Sequence, residues 1–257
     1  MKAPLREFKV DRLKVKVFPD RAGLGAAAGL AAAARIRAIE QGRELLNLLF
    51  AAAPSQGETL DALCREPGVD WGRFDAFHLD EYLGLPAGAP QSFGRWLKER
   101  LFDRVPFHRV FCIDGSAADA AEECARYTRL LQEHPLDLAF LGIGENGHLA
   151  FNDPGVADFQ DPLWVKVVEE LDPTCRQQQV NDGQFGNLAE VPTRAITLTV
   201  PALFSARCAL VLVPGGRKAE IVRRTLQGPI DASCPASILR RHADACLFLD
   251  RDSAALL

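Results

Sequence analysis

FLGIGENGHLAFNDPG, Phe140 to Gly155, follows an apolar run and closes on Asp-Pro-Gly. Gly142, Gly144 and Gly147 carry the GxGxxG spacing of a dinucleotide-binding turn, whose third glycine opens a long helix that receives a pyrophosphate at its N-terminus. Glu169 and Glu170 lie about 20 residues beyond, where the ribose-binding acid of such a fold would stand. Two features oppose that reading. Asp153-Pro154-Gly155 follows Gly147 too soon to leave room for the crossover helix, and the motif comes after at least three candidate strands instead of opening the fold. We therefore read a strand-end turn. Gly142 and Gly144 would bring backbone N–H groups close to a ligand, and the turn would expose His148, a side chain that can relay protons near neutral pH. Asp153 is placed to orient that histidine.

The rest of the chain fits a sheet around this strand. Continuous apolar runs (LLNLLFAAAP, RFDAFHLDE, RVFCIDG, LDLAFLGIG, VKVVEEL, RAITLTV, RCALVLVPG, ACLFLD) alternate with helical patterns. In SAADAAEECARYTRLLQEHP, Ser116 is a candidate cap with Asp119 at the capping-box position, apolar residues recur at 121, 124, 127 and 131, and Pro135 stops the helix. SFGRWLKERLFDRV aligns Phe93, Trp96, Leu97 and Leu101, and RKAEIVRRTLQGP ends on Gly228-Pro229. The expectation is one α/β domain over residues 1–257, with a mostly parallel sheet covered by helices on both faces. Ligands of such sheets bind outside the carboxyl ends of the strands. The stretch 152–164 and NDGQFGNLAEVP look like loops near that edge.

Composition narrows the function. The chain has 257 residues, 48% hydrophobic and 25% charged, with net charge −4, so it offers no basic field for nucleic acid and no polybasic patch for a membrane. No unbroken apolar run reaches the roughly 20 residues of a membrane span; GLGAAAGLAAAARIRAIEQG is interrupted by glycines and ends in charges. MKAPLREFKVDRLKVKVF lacks the apolar core and cleavage site of a secretory leader. Seven cysteines, an odd number without CxxC spacing, suggest reduced thiols in a cytoplasmic compartment and no zinc site. The sequence says nothing of oligomeric state.

Four strand ends carry candidate chemistry. FHLDEY ends in Asp80-Glu81, which can point to opposite sides of a strand, so only one need face a cleft; the pair supplies either a strand-end or cap acid, or a general base for a carbon acid. ENGH supplies His148. The turn Pro54-Ser55-Gln56-Gly57 before a helix is either an ordinary connection or an anion pocket, with Glu58 opposing a phosphate placed directly on it. PGGRK delivers Arg217 and Lys218 to a helix start, against the dipole, so either an anion or solvent is their partner.

FHLDEYLGL, LGIGENGHLAFNDPG, VPTRAITLTVPAL and VPGGRKAEIV, in this order, resemble the glucosamine-6-phosphate deaminase (isomerase) family from about Pro54 to Asp250. The resemblance implies a parallel α/β fold related to phosphogluconolactonases and sugar-phosphate isomerases. It also implies aldose–ketose isomerisation of an amino-sugar phosphate with loss of ammonia, and no metal or organic cofactor. On it, Asp80 would move the proton between C2 and C1, His148 would assist ring opening, and Asn146 and Asp153 would flank the histidine. Ser55, Gln56, Gly57, Glu81, Gly142, Gly144 and Lys218 would bind the substrate, Lys218 at the phosphate. Four positions depart from the family pattern. Asn146 replaces Asp, Asp153 replaces Glu, Glu58 replaces a threonine, and the phosphate-binding arginine has no counterpart nearer than Arg176. The alternatives are a lactone hydrolase and a non-catalytic sugar-phosphate sensor.

Overall fold

The computed structural model describes residues 3–40, 44–86 and 88–257. Met1 and Lys2 of the N-terminal segment, Gln41 and Gly42 of the alanine-rich segment, and Ala87 of the turn after Tyr82 lie outside the described residues.

The main sheet has eight strands. Its spatial order is β1 (Arg6–Val10), β2 (Leu13–Phe18), β11 (Ala245–Asp250), β10 (Cys208–Val213), β7 (Leu138–Leu141), β3 (Leu46–Phe50), β4 (Phe74–His78) and β6 (Arg109–Phe111). Every pairing is parallel except β1 with β2. The central strands are buried throughout because alternate residues enter separate cores. Leu48, Phe50, Leu138, Phe140 and Leu212 pack beneath α1 (Arg21–Glu40), α2 (Gly57–Cys64) and α3 (Phe93–Leu97). Leu49, Ala139, Leu141 and Val211 face α4 (Ala120–Glu133), α6 (Val200–Phe204) and α7 (Ala219–Gln227). The expected mostly parallel sheet with helices on both faces is present.

Several local expectations are corrected. RFDAFHLDE is two strands: β4 ends at His78, and β5 (Asp80–Tyr82) joins β9 (Ala195–Leu198) and β8 (Val165–Val168) in a small antiparallel sheet. VKVVEEL and RAITLTV therefore do not extend the parallel sheet. The cap of α4 is Asp119, which accepts from Ala121 N (2.8 Å) and Glu122 N (3.1 Å), while Ser116 is bound to Asp114. TCRQQQVN, not expected as a helix, lies in α5 (Pro173–Asn181).

α1 is long and apolar enough, by composition, to cross a membrane. Its Leu24, Ala28, Ala32 and Ile36 are instead buried in the core. Gly25 and Gly29 allow α2 to lie directly on α1: a Cβ on Gly25 would stand 2.3 Å from Glu58 Cβ, and one on Gly29 2.6 Å from Ala62 Cβ.

Gly25→Ala tests this contact. Helix propensity alone favours alanine by about 1 kcal/mol, but the overlap with Glu58 is overpacking that costs about 1–3 kcal/mol. A net fall in thermal midpoint of a few degrees is expected, at about 2–4 °C per kcal/mol for a chain of this size. A midpoint at or above that of the parent protein would show that the helices separate freely.

Candidate active site

From β3 the chain builds outward through β4 to β6, and from β7 it builds the other way through β10 to β11. The loops after the adjacent strands β3 and β7 thus diverge, leaving a crevice at the carboxyl edge. A cleft of about 220 Å³ occupies this place, lined by Ser55 after β3, Gly142 and Gly144 after β7, Lys218 after β10, and Asp80 and His148.

No helix starts at Gly147. Gly147, at φ 96°, and Ala150, at φ 51°, make tight turns, and Leu149 bridges back to Asn152. Gly144 serves the histidine directly: a Cβ there would fall 2.1–2.3 Å from the imidazole atoms of His148. The ring is held from behind. Asn146 Oδ1 lies 2.9 Å from His148 Nδ1 and accepts from His148 N at 3.0 Å, and Asp153 Oδ1 is 3.1 Å from Nδ1. Asn146 Nδ2 donates to Asp153 Oδ1 (2.9 Å) and to Asp172 Oδ1 (3.2 Å), which sets the direction of the amide. With two acceptors at Nδ1, the proton of a neutral ring belongs there and the lone pair is on Nε2.

Asp80 and Glu81 part company. Asp80 lines the cleft, and burial, reinforced by the neighbouring Glu81 carboxylate, pushes its pKa well above the usual carboxylate range. No protein group among the described residues donates a hydrogen bond to its carboxylate. Glu81, expected with the substrate-binding set, turns away from the cleft. It accepts from Phe93 N (3.1 Å), Gly94 N (2.9 Å), Ser92 Oγ (2.7 Å) and its neighbour Tyr82 N (2.9 Å), anchoring the start of α3.

In the turn after β3, Ser55 faces the cleft, whereas Gln56 is buried beneath it and donates to Leu141 O at 3.3 Å. Gly57 opens α2 outside the lining. Glu58 does not confront the cleft unpaired: Arg21 Nε donates to it at 2.6 Å. After β10, Gly215 adopts φ 95° and donates to Asp250, and the chain then presents Lys218. Lys218 Nζ donates to Gln178 Oε1 at 3.1 Å, and burial lowers its pKa to about 8. Arg217, for which the sequence leaves an external anion and solvent both open as partners, pairs instead with the protein's own Glu145 (3.2 Å) and Asp182. Arg176, the nearest candidate for the phosphate-binding arginine, donates to Leu188 O (2.7 Å) and Val191 O (2.8 Å) and is not among the cleft-lining residues.

Sequence reasoning missed Arg21, Phe93, Phe151, Gln178 and Asp182 as lining residues. The first sits at a helix start before the recognised motifs, and the last two belong to the α5 region.

His148, Asp153 and Cys175 place potential metal ligands within 4.8 Å of one another. Asp153 is engaged on the Nδ1 side of the ring, while Cys175 Sγ lies 4.0 Å from Nε2. One ion cannot take both edges of an imidazole, so the cluster fits a hydrogen-bonded histidine better than a ligand set.

The model of the family "Glucosamine-6-phosphate isomerases/6-phosphogluconolactonase" matches residues 19–248. Glucosamine-6-phosphate deaminase of Listeria monocytogenes serotype 4a (strain HCC23) is 39% identical over 212 residues, 82% of this chain and 88% of that protein. The Bacillus cereus (strain B4264) enzyme of the same name is 38% identical over 192 residues, 75% of this chain and 71% of that protein. Among solved structures, a monomeric glucosamine-6-phosphate deaminase superposes with TM-score 0.86 at 30% identity, covering 95% of this chain and 99% of that one. A 6-phosphogluconolactonase from Trypanosoma brucei shares the fold, with TM-score 0.75 at 21% identity over 95% of this chain and 98% of that one.

Lys218 gives the cleft a measurable pH dependence. The lysine is cationic below its lowered pKa of about 8 and neutral above it, so anion binding weakens as pH rises through that value. Sulfate, whose charge is constant over this range, should lose about tenfold in affinity per pH unit above the transition if this one proton is required. In Lys218→Arg the charge persists and the profile should be flat to pH 9.5 or so. Calorimetric titration at several pH values would read both, and a flat profile in the parent protein would remove Lys218 from the anion site.

Proposed function

The chain belongs to the glucosamine-6-phosphate isomerase/6-phosphogluconolactonase family, and from that premise we propose that it converts glucosamine 6-phosphate and water into fructose 6-phosphate and ammonia. The observation that carries this reading is the meeting of Asp80 and His148 in one cleft. A carboxylate without a protein donor suits removal of a carbon-bound proton, and a histidine with a fixed Nδ1 proton suits transfer between oxygens. Deaminases are also the relatives at 38–39% identity.

In the reaction, His148 Nε2 takes the proton of the C1 hydroxyl and returns a proton to the ring oxygen, opening the sugar to its aldehyde. Asp80 then removes the C2 proton. The electron pair passes to the C1 carbonyl, which takes up a proton, and an enolamine forms. Return of a proton to C1 gives the C2 imine, water adds at C2, and ammonia leaves. The raised basicity of Asp80 favours the first carbon step, because a carboxylate with a higher pKa is the stronger base. The phosphate is assigned to Lys218 with Ser55, which line the same cleft. All seven cysteines are free thiols, which supports a reducing, cytoplasmic setting as part of the same proposal.

Asp80→Asn should lower kcat by about a thousandfold, within the usual range for loss of a general base, while KM changes little. Solvent deuterium incorporation at C2 and C1 should disappear with ammonia release. In the parent protein, kcat/KM should fall on the acid side at a pH above the ordinary carboxylate range, since Asp80 must be ionised and burial raises its pKa. Undiminished exchange in the variant would refute the base assignment. Binding of sugar phosphates by the parent protein without exchange or ammonia would favour the sensor.

A further inference from the structure

Asp172 belongs to none of the motifs above, yet its carboxylate reaches the support of His148. Asp172 Oδ1 accepts from Asn146 Nδ2 at 3.2 Å, from Thr174 N at 2.8 Å and from Cys175 N at 3.1 Å. The same oxygen thus caps α5 and fixes an amide that lies 26 residues away in sequence.

The amide has two N–H groups, and both point to carboxylates, those of Asp153 and Asp172. Its oxygen is left to face His148 N and Nδ1. Reversing the amide would set its oxygen against two anions and its N–H₂ against a backbone donor. The orientation of Asn146, and through it the tautomer of His148, is therefore biased by Asp172 as well as Asp153.

Position 146 is an asparagine, whose amide brings no charge of its own to the imidazole. Besides the Asp153 carboxylate at the imidazole, a second carboxylate stands one amide further out. It comes from the N-terminus of α5, whose Gln178 holds Lys218 and receives Glu145 N at 2.8 Å. Seating of α5 thus sets both the histidine's support and the cationic wall of the cleft.

We propose that Asp172 is a positioning residue that acts through Asn146 to hold His148 as the Nδ1–H tautomer with the ring's lone pair on Nε2. Its effect on turnover rests on the deaminase reading; its effect on the imidazole does not.

Asp172→Ser and Asp172→Asn separate this role from helix capping. Serine and asparagine both cap well, but serine is too short to reach Asn146, whereas asparagine keeps the contact without the charge. Asp172→Ser should lower kcat for ammonia release about tenfold, the scale of one hydrogen bond to a charged acceptor, with KM within about twofold and the thermal midpoint close to that of the parent. Asp172→Asn should fall between. The imidazole ¹⁵N spectrum of His148, recorded without substrate, should change from one Nδ1–H form to a tautomer mixture in Asp172→Ser. Asn146→Asp alone crowds three carboxylates and should impair turnover, and combining it with Asp172→Asn should recover part of the loss.

Parent-like kcat and an unchanged imidazole spectrum in Asp172→Ser would overturn the proposal. So would a loss of activity that tracks a lower thermal midpoint with no tautomer change, which would leave Asp172 a helix cap only. A parent protein that releases no ammonia would defeat the functional reading instead, while the spectrum would still judge Asp172.

Discussion

The chain's exit from the main sheet at Leu79 places the rest of the site. β4 would otherwise continue into Asp80 and bury both acids of the Asp-Glu pair within the parallel sheet. The backbone of His78 is instead satisfied by Tyr127, whose hydroxyl accepts from His78 N at 3.0 Å and donates to His78 O at 3.1 Å. The buried His78 ring is neutral, its pKa lowered to about 3 by desolvation, so its Nε2 can accept Ile113 N at 2.7 Å and tie down the chain beyond β6. After this corner, strand alternation sends neighbouring residues to opposite sides. Glu81 anchors α3, and Asp80 faces the cleft. A slip of one residue would exchange the two, which is why so many buried partners converge on one corner.

The second half of the site depends on a different economy of space. His148 needs a rigid seat with one ring edge open, and Gly144 supplies it by lacking a side chain where the imidazole lies. Behind the ring, Asn146, Asp153 and Asp172 form a polar network in which each amide N–H has an acceptor. The same turn would be a poor nucleotide site, because its backbone N–H groups are spent internally: Gly144 N donates to His148 O and Gly147 N to Gly144 O, each at 3.0 Å.

The sequence was legible where burial is symmetric. β3, β7, β10 and β11 are covered on both faces and stand out as continuous apolar runs, and the acids, histidine and lysine at strand ends stand out because of where those runs stop. The small sheet misled for the same reason: β8 and β9 are apolar enough to pass for parallel strands, and pairing direction leaves no local mark. β1 and β2 went unseen because lysines at 14 and 16 alternate with buried leucine and valines, a half-covered pattern near the sheet edge. α5 was missed because its residues are mostly polar and only Cys175 and Gln178 are buried. With α5 went Asp172, Gln178 and Asp182, whose partners are 26 to 40 residues away and have no signature in sequence spacing.

The charges of the cleft then explain how one small pocket could select an amino-sugar phosphate. Arg21 is neutralised by Glu58, and Arg217 by Glu145 and Asp182, so neither guanidinium offers a net cation to a ligand without giving up a carboxylate. Among the described residues, two ionisable groups of the cleft form no ion pair: Lys218, whose Nζ donates to the Gln178 amide oxygen with the Glu145 and Asp182 carboxylates nearby, and Asp80, to whose carboxylate no protein group donates. Both are desolvated, and desolvation weakens the charged form of each, lowering the lysine and raising the acid. In the proposed substrate, a phosphate would meet the first and an ammonium on C2 the second. Each would restore the charged state of its partner as it displaces water. A ligand with only one of the two groups would leave the other buried charge uncompensated, and burial makes that omission more costly than it would be at a surface.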